Sequence, residues 1–129
     1  MKKIILDCSW NPGEYNLVCT WDENKAHCEV KKFNIAGEDS RTFDVEGDKF
    51  KQFVEAIDEI DLLTLDREYL PADGMILEDA MLFNFLYDEG NKFCSSIWQI
   101  GTESEEILAL EDAIMILDPK FEDLFPIIQ

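Results

Sequence analysis

Residues with metal-binding or nucleophilic side chains are few in this chain. His27 is the only histidine, and the cysteines are Cys8, Cys19, Cys28 and Cys94. A structural zinc site needs four such ligands, usually in closely spaced pairs. Here the cysteines are separated by ten, eight and 65 intervening residues, and the adjacent His27 and Cys28 would point to opposite faces of a strand. We therefore expect no metal site and interpret the cysteines as reduced core residues.

Three carboxylates alternate just before a predicted helix: Asp44, Glu46 and Asp48. Carboxylates at this spacing are potential ligands of Ca²⁺ or Mg²⁺, but the ligand pattern of a calcium-binding loop is absent. Acidic residues at the start of a helix also have an ordinary role, because they complement the positive end of its dipole. We favour that structural role and predict Asp48 as the N-cap.

Signatures of catalysis are missing from the sequence. There is no glycine-rich phosphate loop, nucleophile elbow or kinase signature. A Cys–His pair would need positive charge around the thiol to activate it, and we expect the cysteines to lie among apolar neighbours instead. Carboxylate pairs for glycoside hydrolysis depend on a spatial separation that a sequence does not show. We predict a protein that is not an enzyme and uses no cofactor. The alternative is a small-molecule-binding module or an enzyme with a site under the 62–79 loop.

Negative charge is concentrated in the second part of the chain. The 29 Asp and Glu residues exceed the 11 Lys and Arg residues by 18. Residues 55–129 contain 19 of these acids but only Arg67, Lys92 and Lys120 as bases. Such a surface repels nucleic-acid phosphates and anionic lipids, whereas it attracts a cationic protein and accelerates the encounter. We expect no direct nucleic-acid binding and no membrane binding.

The segment from Glu55 to Asp79 has the densest run of acidic residues. Its only base is Arg67, and long loops on rigid scaffolds are where binding residues tend to lie. Solubility alone is the competing explanation for a charged face. We predict a partner-binding surface in which Tyr69 supplies an aromatic anchor. Its residues are Asp58, Glu59, Asp61, Asp66, Glu68, Tyr69, Asp73, Glu78 and Asp79.

The elements that must position these residues follow from the periodicity of the apolar residues. Residues 15–21 alternate with a period of two, which predicts a half-buried strand. Short segments between tight polar turns predict further strands at 2–8, 26–34 and 41–45. The spacing of Phe50, Phe53, Val54, Ile57 and Ile60 predicts an amphipathic helix.

The remaining chain predicts two strands, a second helix and a short terminal turn. The strands lie at about 80–87 and 92–100. Thr102 and Glu105 have the spacing of a capping box that opens the second helix, and Asp118-Pro119 begins the terminal turn. We therefore predict one α+β domain over 1–129. It has an antiparallel β-sheet of about six strands, in the order ββββαββα, with two main helices packed on one face.

In its size, acidity and order of elements the chain resembles the immunity proteins of bacterial polymorphic-toxin and contact-dependent growth-inhibition systems. The likeness includes the segment Leu70-Pro71-Ala72-Asp73-Gly74, the hairpin after it and the closing acidic helix. It extends over the whole chain and includes no diagnostic motif. The resemblance implies a protein that binds a cognate basic toxin domain, often a nuclease, and covers its active site or substrate groove.

Location and assembly follow from similar considerations. Asp7 ends the first apolar run after three residues, which is too short for the apolar region of a signal peptide. We therefore expect a cytoplasmic protein that is a monomer when free. The resemblance to immunity proteins, with the acidity of the chain, implies a protein that neutralises a cationic toxin domain.

Overall fold

The computed structural model describes residues 1–70 and 81–128 and has an α+β fold, as the sequence predicts. A seven-stranded sheet has the order β4-β3-β2-β1-β6-β7-β5. In chain order the strands are β1 (Lys2–Trp10), β2 (Gly13–Trp21), β3 (Ala26–Asn34), β4 (Gly37–Val45), β5 (Glu68–Tyr69), β6 (Leu82–Asp88) and β7 (Phe93–Gln99). The first four strands form an antiparallel meander, because tight turns connect segments that each alternate with a period of two.

One face of the sheet carries the core. Along β1 the side chains of Ile4, Leu6 and Cys8 are fully buried, whereas the intervening residues Ile5 and Asp7 are only partly buried. The same alternation continues on the neighbouring strands because paired residues share a face. Helices α1 (Gly47–Asp58) and α2 (Glu105–Leu117) supply the other half of the core. The second face of the sheet, called here the open face, has no helix on it among the described residues.

Strand β5 adds a parallel pair and a seventh strand to the predicted antiparallel sheet of about six strands. After α1 and a 3-10 helix at Leu62–Thr64, the chain reaches the far edge of the sheet. There Glu68 and Tyr69 pair in parallel with Ile97 and Trp98 of β7. The sheet is therefore mixed and has seven strands. A two-residue strand has no periodicity that a sequence could reveal.

Both helices begin at a residue other than the predicted cap. Glu46 is the N-cap of α1, so Asp48 lies within the first turn, where its charge complements the dipole. Ser104 is the N-cap of α2, and its hydroxyl accepts a hydrogen bond from the Ile107 amide at 3.2 Å. The hydroxyl of the predicted cap Thr102 instead donates a hydrogen bond to the Tyr69 carbonyl oxygen. It thereby ties the α2 entry to β5.

A buried ion pair fastens the end of α2 to the sheet. Asp118 is 1% exposed and accepts two hydrogen bonds from the Arg41 guanidinium, each at 3.0 Å. The Tyr15 hydroxyl donates a third, at 2.9 Å. A second 3-10 helix, Pro119–Ile128, follows and packs Phe121 against Tyr15. The predicted turn at Asp118-Pro119 is thus present, and Arg41 of β4 neutralises the Asp118 carboxylate.

Gly13 is required by the close approach of Trp10 in the β1–β2 hairpin. A methyl group at this position would lie 2.5 Å from Trp10 Cε2. We expect Gly13→Ala to lower the free energy of unfolding by about 1–3 kcal/mol, because the indole must move. Chemical denaturation measures the loss in the free energy of unfolding. The loss caused by Gly13→Ala is compared between the natural chain and a Trp10→Leu background. An equal loss in both backgrounds would show that the ring is not the cause.

Candidate partner-binding surface

Three of the predicted partner-binding residues cluster where α1 ends. Asp58, Glu59 and Asp61 are all exposed, since the apolar stripe of α1 points the opposite way and buries Phe50, Phe53 and Ile57. Among the described residues, no Lys or Arg side chain forms an ion pair with them. The predicted residues Asp73, Glu78 and Asp79 lie outside the described residues.

Two adjoining grooves lie at this end of the sheet. The larger has a volume of about 1010 Å³ and runs between α1 and the β2–β3 turn, where Asp22 and Glu23 line it. The smaller, of about 300 Å³, is lined by Asp61 and Glu89. Asp58 lines both. The structure therefore adds carboxylates from the β2–β3 and β6–β7 turns to those predicted on α1. The sequence did not indicate this because the turns are remote along the chain.

Tyr87 lies beside these carboxylates, and their negative charge affects its pKa. The Tyr87 hydroxyl donates a hydrogen bond to Glu89 Oε2 at 2.9 Å. Burial, the hydrogen bond to Glu89 and the negative charges of Glu89 and Asp58 together raise the pKa of Tyr87 well above its usual value. The phenol thus remains protonated at neutral pH and keeps its hydrogen bond to Glu89.

The other predicted residues lie apart from this group. Glu68 is paired with Ile97 and lines a depression of about 350 Å³ on the open face. The Asp66 amide donates a hydrogen bond to Tyr69 Oη at 2.8 Å, and the Tyr69 ring is half-buried against the core. Tyr69 is therefore mainly a packing residue here. The nine predicted residues do not form one continuous patch among those described.

Three basic residues of the first part of the chain, Lys25, His27 and Arg41, are engaged locally. Asp44 accepts hydrogen bonds from His27 at 2.7 Å and from Lys25 at 3.1 Å. His27 and then Lys25 lower the pKa of this carboxylate. Arg41 bonds Asp118 and also Asp39. These three groups are therefore not free to neutralise the carboxylates at the end of α1, whereas Lys2 lines both grooves and Lys51 lines the larger one.

A carboxyl group inside the core was not predicted from the sequence. Glu111 on α2 is 3% exposed, and its Oε2 accepts a hydrogen bond from Trp98 Nε1 at 3.2 Å. Burial, with repulsion by Glu103 and Asp112, raises the pKa of Glu111 to about 8. It is therefore largely neutral at pH 7 and does not contribute to the surface charge.

The open face carries a second pair of acidic residues. Asp7 is flanked across the strands by Asn16 and Asn84. A hydrogen bond with Asp7, together with its charge, raises the pKa of the neighbouring Glu14. This pair lies in the middle of the sheet, far in sequence from the predicted acidic segment.

The candidate metal-binding and nucleophilic residues do not converge. Cys8, Cys19 and Cys28 are buried free thiols on the core face, whereas His27 is exposed on the open face, as the alternation predicts. Burial raises the pKa of the Cys8 thiol well above its usual value. Among the described residues, no group of three His, Cys, Asp or Glu side chains is placed to hold a metal ion.

The lengths of the helices and three comparisons with known proteins complete the description of the chain. None of the helices in the described ranges is both long and apolar enough to cross a membrane. Comparison of the chain with protein-family models, with curated proteins and with solved structures finds no significant match.

Proposed function

We propose that this protein is an immunity-type inhibitor that binds a cationic toxin domain, a nuclease being the expected class, and covers its active site or substrate groove. The observation that carries the proposal is the group of exposed carboxylates at the end of α1. Asp58 lines one groove with Asp22 and Glu23 and a second with Asp61 and Glu89, and the carboxylates of these grooves outnumber their two lysines, Lys2 and Lys51. Like charges held this close destabilise the free protein, and a cationic partner relieves that repulsion.

These carboxylates are complementary in charge to a protein surface that binds phosphates. A nuclease must present Lys and Arg to its substrate, and a protein with exposed carboxylates competes for the same side chains. Opposite fields steer association to rates as high as about 10⁸–10⁹ M⁻¹s⁻¹ at low salt. In this proposal the protein acts stoichiometrically inside the producing cell, without turnover and without a cofactor.

The test is association kinetics with the captured partner across a salt series. We expect Asp58→Asn with Asp61→Asn to slow association about tenfold at low salt and to flatten its salt dependence. Asp66→Asn with Glu68→Gln should act less, because these residues lie away from the grooves. The matched control is Glu29→Gln with Glu38→Gln, which removes the same charge from exposed sites on β3 and β4.

Three results would contradict the proposal. They are an acidic partner, an association rate that does not respond to salt, and turnover of a substrate by the purified chain alone. A control variant as slow as the Asp58/Asp61 variant would show that net charge, rather than this surface, governs association.

A further inference from the structure

Helix α2 carries apolar residues on two opposite sides. Its inner side is buried against the sheet and includes Ile107, Leu110, Ile114 and Leu117. On its outer side, four apolar and two acidic residues follow the spacing i, i+3, i+4, i+7, i+10 and i+11, which places them in a second stripe along the helix. This outer stripe consists of Glu105, Leu108, Ala109, Asp112, Met115 and Ile116.

The outer stripe is only partly covered by the described part of the fold. Leu108 is 49% exposed and Ala109 is exposed, whereas Met115 and Ile116 are half-buried and pack against the core at its edge. Helix α1 differs, because its exposed positions Lys49, Gln52 and Glu55 are polar or charged. A helix that is apolar on both sides is typical of one that is covered on both sides. The outer stripe of α2 therefore has the composition of an interface.

Charge decides which class of partner fits the stripe. Glu105 and Asp112 flank Leu108 on the exposed side, and α2 contains no Lys or Arg. From Phe93 to Gln129 the only base is Lys120. An anionic lipid surface or a second copy of this acidic chain would bring like charges together. A basic segment places its cations on these carboxylates while its apolar side chains cover Leu108.

We propose that the outer stripe of α2 is a docking face for an amphipathic segment of a cationic protein. That segment presents apolar side chains flanked by Lys or Arg, in the manner of a helix laid against an apolar face. This inference rests on the proposed function and adds the surface that supplies apolar contact. Leu108 is the central anchor, and Glu105 and Asp112 form the charged rim around it.

The experiment uses a synthetic amphipathic helix, with leucine on one face and lysine on the other, titrated into the isotopically labelled full chain. We expect amide shifts along α2 and a dissociation constant about tenfold weaker for Leu108→Gln. Phe33→Gln is the matched control, since Phe33 is 46% exposed on β3, and it should change affinity less than about twofold. A second peptide with serine in place of leucine should bind at least about tenfold more weakly.

Other outcomes overturn the docking face and remain distinguishable from failure of the proposed function. Equal affinities for the two variants, shifts away from α2, or self-association that Leu108→Gln abolishes would each exclude it. If a captured cationic toxin binds Leu108→Gln unchanged but responds to Asp58 and Asp61, the docking face is wrong and the proposed function stands. If the captured partner is acidic while the leucine–lysine helix still binds α2, the proposed function is wrong.

Discussion

Replacing Arg41 with methionine is expected to lower the free energy of unfolding by about 3–5 kcal/mol. The change leaves the Asp118 carboxylate 1% exposed without its charged partner, and only the neutral Tyr15 hydroxyl and Lys120 amide continue to donate to it. Equilibrium denaturation at neutral pH measures the loss. Removing a single partner of a buried pair is costly because the remaining charge cannot return to water.

Lys25→Met is the matched control for this prediction. Lys25 and Asp44 also form an ion pair, at 3.1 Å, but both side chains are more than a third exposed. Water solvates each charge when the other is removed, so little change in stability is expected. Similar losses for Arg41→Met and Lys25→Met would contradict the view that burial, and not the ion pair itself, sets the cost.

Glu111→Gln is expected to stabilise the protein increasingly as the pH rises. The pKa of Glu111 is about 8 in the folded protein, above its ordinary value of about 4.3. The folded state thus retains a proton that the unfolded state releases, and this group's contribution to stability falls as the pH rises between these values. Glutamine keeps a hydrogen-bonding side chain of the same shape and does not ionise.

The measurement is the difference in unfolding free energy between the variant and the natural chain. Between about pH 5.5 and pH 8 it should grow by about 3 kcal/mol, since one pKa unit corresponds to about 1.4 kcal/mol. Glu122→Gln, at an exposed position in the second 3-10 helix, is the control. A constant difference for Glu111→Gln would mean that the buried group ionises as readily as a solvated one.

The fold was predictable where each residue's neighbours are close in sequence. Strands β1 to β4 follow from short apolar segments, best alternating on β2, and from the tight turns between them, and α1 follows from its apolar stripe. The caps were less predictable because Thr102 and Ser104 are both suitable residues. Thr102 is instead bonded to Tyr69, 33 residues away, a contact that no local pattern specifies.

The candidate surface was predictable in its charge and less so in its arrangement. Asp58 and Asp61 were expected, but Glu89 joins them only because β6 pairs with β1. The burial of Glu111 was missed because an acidic residue in an acidic chain is expected to be solvated. Its position next to Leu110 and Ile114, on the inner side of α2, was the signal in the sequence.

The central place of β1 has a consequence for the order of folding. One edge of β1 pairs with β2, directly after a two-residue turn, whereas the other pairs with β6, about 80 residues later. The meander can therefore assemble early from local hairpins, while closure of the β1–β6 edge must wait for a large loop to close. Until then β1 presents an unpaired edge beside an uncovered apolar face, which is the combination most prone to aggregation. The late pairing of β6 is thus the step that protects the newly made chain.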